Sequence, residues 1–168
     1  MNLKLNKMSS HFLVKQFSEE DISCIYEVCR RNPTYYHYLK TKPTFANIKD
    51  VFTELPPNKA LEDKLFIGFY SENHLIALMD FVVGYPDIHT VFIGWFMMNK
   101  EYQGRGTGTE IITEFLNYLK KEGYMYVQLG YIKGNRESEQ FWIKNSFKPT
   151  GVETSKDKYK IILMRKEL

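Results

Sequence analysis

At 168 residues, with 43% hydrophobic and 26% charged side chains, the sequence has the balance of a single globular domain over residues 1–168 with a real core, which excludes disorder. The net charge is only +3 and the lysines and arginines are scattered, so nucleic acid is not an expected partner. No stretch approaches the ~20 apolar residues of a membrane span, and the opening MNLKLNKMSS lacks the apolar run of a signal peptide, so the expected compartment is the cytoplasm, with no membrane partner.

Residues 12–17 (FLVKQF) read as a first strand. Ser18 is placed as an N-cap, because Ser-Glu-Glu-Asp precedes Ile22, Ile25 and Val28 at helical spacing, and this helix stops near Asn32-Pro33. Its two cysteines, Cys24 and Cys29, lie five apart and do not share a helix face. No second Cys/His cluster completes a zinc site, so they read as reduced thiols in or near a core and no metal is expected. The aromatic, polar stretch Tyr35-Tyr36-His37-Tyr38 then connects to a second helix over 44–55, closed by Pro56-Pro57. Residues 64–71 (KLFIGFYS) and 74–83 (HLIALMDFVV) read as a hairpin turning at Glu72-Asn73. After a loop at Gly84–Asp87, residues 89–98 (HTVFIGWFMM) are apolar at both parities, as in a central strand buried on both faces. The stretch Asn99–Gly108 is polar and rich in glycine. Ile111, Ile112, Phe115, Leu116 and Leu119 then mark one helical face, which ends at Gly123. A strand over 124–132, a short helix over 136–145 carrying Phe141 and Trp142, and a strand over 158–166 complete the chain. The expected order is β-α-α-β-β-β-α-β-α-β, an α/β fold around one sheet.

The most informative stretch is residues 95–116, WFMMNKEYQGRGTGTEIITEFL. A buried strand runs into Gln103-Gly104-Arg105-Gly106-Thr107-Gly108, which opens a helix. Glycines let the backbone turn sharply and approach a ligand closely. Amide N–H groups and the positive helix end then suit a phosphate or pyrophosphate, to which Arg105 could add a charge-assisted contact. Taken alone, three glycines are equally a tight strand-to-helix turn. No Gly-Lys-Ser/Thr follows, so this is not a Walker A loop. As a dinucleotide fingerprint the glycine spacing is wrong.

The segment resembles the pyrophosphate loop of the GNAT N-acetyltransferase superfamily, Gln/Arg-x-x-Gly-x-Gly/Ala, matched by Gln103, Gly106 and Gly108. Ile93-Gly94, Met98, Tyr102 and Gly104 fit the same family's preceding strand. Asn135, Phe141 and Phe147 fit its Asn-x-x-Ala-x-x-Phe-Tyr-x-x-x-Gly-Phe pattern. The order of elements matches that family over nearly the whole chain. The resemblance implies a single-domain GNAT-like fold with a mixed, largely antiparallel sheet flanked by helices. It implies transfer of an acetyl group from acetyl-CoA to a primary amine of a small molecule or peptide, by direct attack on the thioester.

By the same resemblance, backbone groups of Phe96, Met97 and Met98 would pair with the pantetheine arm, and the Met98 N–H would polarise the thioester carbonyl. Amides of Gln103, Gly104, Arg105, Gly106, Thr107 and Gly108 would hold the pyrophosphate, and the Asn135 side chain would contact the arm. Where many members carry an acidic tyrosine this chain has Trp142, and Ser138 replaces the usual alanine. Three alternatives for the departing thiolate are then open: it leaves unassisted, another tyrosine such as Tyr131 reaches it, or the chain is a non-catalytic acyl-CoA-binding module. For the base, Asp80 is the first choice, because a carboxylate in an apolar strand run needs a reason; Glu101, His89 and His74 are lesser candidates. The acceptor is expected near Tyr35–Tyr38 and Gly84–His89, where Asp87 and His89 stand beside aromatics. Family members are often homodimers, and nothing in the sequence decides that point here.

Overall fold

The sheet is built outward from its most apolar segments. In the computed structural model of the protein, which describes residues 3–168, β2 (Lys64–Ser71) and β3 (His74–Val83) form an antiparallel hairpin. Its turn residues, Glu72 and Asn73, both take positive φ (48° and 66°), the twist that a two-residue hairpin loop needs. Met1 and Asn2, which begin the opening segment examined for a leader, lie outside the described residues. β1 (Leu13–Gln16) pairs with β2, and β4 (Thr90–Met98) pairs with β3, all antiparallel. β5 (Tyr126–Ile132) runs parallel to β4, and β6 (Lys148–Ser155) and β7 (Lys160–Glu167) complete a seven-stranded sheet in the order β1-β2-β3-β4-β5-β7-β6.

Helices cover both faces. α1 (Ile22–Arg30), α2 (Pro33–Leu39) and α3 (Phe45–Val51) lie on one face, where Ile25, Val28, Cys29 and Ile48 pack with Phe66, Leu78 and Met97 of the strands. α4 (Thr107–Lys121) and α5 (Arg136–Lys144) lie on the other, where Phe115 meets Phe81 edge to face at 5.0 Å. This is the expected α/β fold with a mostly antiparallel sheet. Both cysteines are free; Cys29 is fully buried and its thiol is pushed up to about 11 by desolvation.

Three elements differ from expectation. Tyr35–Tyr38 belongs to a helix rather than a connection, because Pro33 sits in the first turn, where its missing N–H costs nothing. α3 ends at Val51 rather than at 55, well before Pro56. β6 was not anticipated at all: every one of its positions is exposed, and Pro149 and Gly151 interrupt it. An edge strand with both sides wet leaves no alternation to read, and proline is tolerated there because one backbone edge faces solvent.

The feature that positions the site is a bulge in β4. Asp80 pairs with Trp95 and Phe81 with Ile93, so Gly94 is the extra residue. A bulge bends its strand, and β4 parts from β5 at this point: the two pair only from Thr90 to Ile93, against Tyr126 to Leu129.

Candidate active site

Beyond Ile93 the parted strands leave an opening in the middle of the sheet. Gly94 is exposed there despite lying on a central strand. The direction of the backbone follows from one bond. The Asn99 N–H donates to Ile76 O of β3 at 2.8 Å, and successive residues of a strand turn their polar groups to opposite edges. Met97 therefore gives its N–H and C=O to β3, which removes it from the residues expected to pair with a cofactor arm. Phe96 and Met98 turn theirs to the open edge. The Met98 carbonyl bears this out: it accepts from Asn32 Nδ2 (3.0 Å) and Gln103 Nε2 (3.1 Å), neither of which belongs to β3.

At the C-terminal end of β4, a single turn of 3-10 helix (Lys100–Tyr102) leads into the glycine turn and α4. Gly104 and Gly106 adopt positive φ (75° and 85°), and a Cβ built at either meets nothing within 4 Å. The space beside these two backbones is free for a ligand, and the first-turn N–H groups of α4 have no partner one turn back. Gly108 is different. A Cβ there would lie 3.1 Å from Phe141 and 3.5 Å from Met98, so this glycine lets α4 pack closely on α5 and β4. The Gln103 N–H is already used by Lys100 O at 3.3 Å, and its side chain ties Asn32 (2.7 Å) to the end of β4. Gln103 is thus a brace for the turn rather than an amide donor in it. Arg105 is exposed, and neither it nor Thr107 lines the opening.

The opening continues as a cleft of ≈ 1350 Å³ that runs through to the α1–α3 face. Asp80 lies in it, 8% exposed, with Lys64 Nζ 2.5 Å from its Oδ1. Burial raises the Asp80 carboxyl to about 6, against the opposing pull of the Lys64 charge. Its other oxygen, Oδ2, lies 2.7 Å from where a Cβ of Gly94 would be, so the bulge glycine makes room for the carboxylate at the point of parting.

Tyr131 also lines the cleft, but its hydroxyl donates to Glu139 of α5 at 2.8 Å. Burial and that carboxylate push the phenol up to about 12, above an ordinary thiol near 8.5. The Tyr131 hydroxyl is therefore engaged with Glu139 rather than free in the cleft. Trp142 is buried in a cluster with Phe96, Phe141 and Phe147, with ring centroids 4.9–5.9 Å from it. Asn135 caps α5: its Oδ1 accepts from Ser138 N at 3.1 Å, which leaves its amide nitrogen for any contact to a bound arm.

The lesser bases stand elsewhere. Glu101 is exposed and paired with Arg31 at 2.5 Å, and His74 and His89 are exposed outside the cleft. Asp87 is absent from the cleft lining too, its carboxylate held by His89 N–H and the Thr90 hydroxyl. Sequence reasoning missed Lys64, Trp95, Tyr159 and Glu54, which do line the cleft. Only Lys64 left a signal: a lysine opening an apolar strand, which the register sets two residue pairs from Asp80. Among the described residues no group of three or more His, Cys, Asp or Glu side chains gathers as a metal site would require, and no helix is long and apolar enough to cross a membrane.

A family model described as the acetyltransferase (GNAT) family matches residues 25–147. By sequence, no curated protein matches the chain. Among solved structures, an acetyltransferase from Thermus thermophilus superposes with a TM-score of 0.74 at 15% identity, covering 94% of this chain and 97% of that one. The PaiA N-acetyltransferase from Thermoplasma acidophilum, solved in complex with coenzyme A, gives 0.64 at 19% identity, with 94% and 99% covered. An acetyl transferase from Salmonella typhimurium that modifies the N-terminal serine of a 50S ribosomal subunit protein gives 0.71 at 10% identity, with 96% and 97% covered. At these identities the likeness is one of fold.

Proposed function

Because this chain belongs to the acetyltransferase (GNAT) family, we propose that it is an N-acetyltransferase moving the acetyl group of acetyl-CoA to a primary amine of a small molecule or peptide by direct attack. The observation that carries the reading is the sequence of two features: the β4 edge that has no partner strand beyond Ile93 leads, through one turn of 3-10 helix, into the Gly104–Gly106 turn at the start of α4. A long extended arm ending in a pyrophosphate needs such a pair, a strand edge to lie along and a helix N-terminus to end on. The coenzyme A held by the Thermoplasma protein is consistent with this.

Acetyl-CoA supplies an acyl carbon activated by its thioester; the amine nitrogen bonds to it as the carbon–sulfur bond breaks. The chain's residues then have three tasks. The Met98 N–H, turned to the open edge, binds the negative charge that develops on the acyl oxygen. Asp80 takes the proton that the ammonium must lose before it can attack. The thiolate leaves without an acid from the protein, since the Tyr131 hydroxyl is donated to Glu139 and Trp142 has no acidic proton to give. The buried Trp142 also favours a second reading, an acyl-CoA-binding module without turnover.

Thermal unfolding with and without acetyl-CoA, with ATP and NAD as controls, tests the cofactor. At ~100 times its dissociation constant the ligand adds ~2.7 kcal/mol of stability, a rise of roughly 5–10 °C in Tm for a chain of this size. Gly106→Trp places a side chain in the free space beside the turn and removes that rise. The reading fails if folded Gly106→Trp binds acetyl-CoA as the native chain does, or if ATP or NAD gives the shift instead.

A further inference from the structure

The cleft ends, on the α1–α3 face, in a pit whose walls come from four separate parts of the chain. Tyr35 stands on α2, Glu54 follows α3, Tyr85 lies in the turn after β3, and Tyr159 sits where the β6–β7 hairpin turns. Trp95 and Asp80 form the floor. These groups face one space: Tyr159 feels the charge of Glu54, Asp80 feels it too, and Tyr35 is influenced by Tyr159. The hairpin and α2 therefore both border this end of the cleft.

One side of it is lined by aromatic rings, and the Trp95 indole N–H there is buried without a hydrogen-bond partner. The Tyr35 ring lies over Trp95 at 6.3 Å with 27° between planes, and Trp95 lies over Phe66 at 6.0 Å and 30°. Its charge is limited. Asp80 is already neutralised by Lys64. Glu54 is exposed and forms no ion pair among the described residues, and Lys156 lines the same cleft with the opposite sign. One carboxylate is thus available to attract a cation before it reaches Asp80. A polyamine brings several ammonium groups to a site with one free counter-charge. A peptide N-terminus brings a polar backbone that aromatic walls leave unpaired. An aromatic ring with one amine on a short chain satisfies both walls and charge, since ring faces stack and also attract an ammonium.

Building on the acetyl-transfer reading, we propose that the acceptor is a small primary monoamine on a flat aromatic body, an arylalkylamine whose ring lies against Trp95 and Tyr35 while its amine reaches Asp80. Glu54 draws the ammonium in, and Tyr159 covers the ring from the hairpin side.

The test uses the full chain with acetyl-CoA and reads free thiol release with 2-phenylethylamine, spermidine and a serine-initiated hexapeptide, alongside coenzyme A binding by calorimetry. The expected result is a kcat/KM for 2-phenylethylamine about 100-fold or more above the other two. Tyr159→Ala and Trp95→Ala each raise the KM for 2-phenylethylamine about tenfold, with coenzyme A affinity unchanged. Tyr159 is on a hairpin outside the core, so that variant remains informative if Trp95→Ala does not fold. A preference for spermidine or the peptide overturns the proposal. So does coenzyme A binding without turnover of 2-phenylethylamine, or a Tyr159→Ala variant with unaltered KM. Failure to bind coenzyme A at all overturns the acetyl-transfer reading and this proposal with it.

Discussion

Asp80 and Lys64 show how one pair of side chains sets the conditions under which the site works. A buried carboxylate alone would hold its proton at neutral pH and be useless as a base. Burial carries Asp80 to about 6, and the Lys64 ammonium beside it prevents a further rise. In the proposed role of base Asp80 must be ionised, so kcat/KM should fall as pH drops through about 6. Lys64→Met removes the opposing charge and should move that acid limb upward by about one pH unit or more, while Lys64→Arg restores it. Asp80→Asn should lower kcat by roughly 10²–10⁴-fold with little change in coenzyme A binding. A pH–rate profile with the same acid limb in Lys64→Met would show that the lysine does not tune this group. For stability the sign is reversed. The folded-state value lies above the ordinary 3.8, so the stability Asp80 contributes is complete below that value and is lost as pH rises through about 6. The site accepts a less stable fold at neutral pH in exchange for a base that is ready to act.

Among the elements, β4 matters most, and its behaviour turns on one glycine. Gly94 is the bulged residue, and its missing Cβ is the space occupied by Asp80 Oδ2 at 2.7 Å. Gly94→Val should displace the carboxylate and crowd the parting of β4 from β5, lowering turnover at least tenfold while the Gly104–Gly106 turn remains intact. Unaltered kcat and acid limb in that variant would mean that Asp80 is not placed by the bulge. A second element, α4, is anchored far from its glycine turn. Burial would raise Glu114, but hydrogen bonds from Ser10, Ser9 and His11 hold it down to about 2. Its folded-state value lies below the ordinary 4.5, so the stability it gives is present above that value and disappears as pH falls through about 2. Glu114→Ala should cost roughly 1–2 kcal/mol at pH 7, since solvent screens a carboxylate whose partners are exposed, and the gap from the native chain should narrow as denaturant melts are repeated towards pH 2. A gap that stays constant with pH would rule out the carboxylate as its source.

For the molecule as a whole, legibility followed the range over which each signal acts. β2, β3 and the glycine turn before α4 were readable because hydrophobic period, turn residues and glycine spacing are properties of adjacent residues. β4 was readable as a central strand for the same reason, and with it the family, although from Gly94 onward it borders the opening instead of being buried on both faces. β6 was not, because a strand exposed at every position has no pattern and exists only through its pairing with β7. The site divided along the same line. Gln103, Gly104 and Gly106 announce a turn at a helix start by themselves, yet only the fold separates the glycines that leave space open from Gly108, which closes a helix contact, and only the fold makes Gln103 a brace. Asp80 stood out as a carboxylate in an apolar run, but its partner Lys64 comes from another strand and is chosen by register. The acceptor pit is the extreme case: Tyr35, Glu54, Trp95 and Tyr159 are spread over more than a hundred residues, and nothing local to any of them indicates the others. The sequence by itself therefore determined most of the elements, the family and the glycine turn that opens α4, all of which rest on short-range backbone preference. Only the tertiary structure decided which backbone edge is open, that the Tyr131 hydroxyl is taken by Glu139 and which side chains share the cleft, because those depend on groups that the chain brings together from a distance.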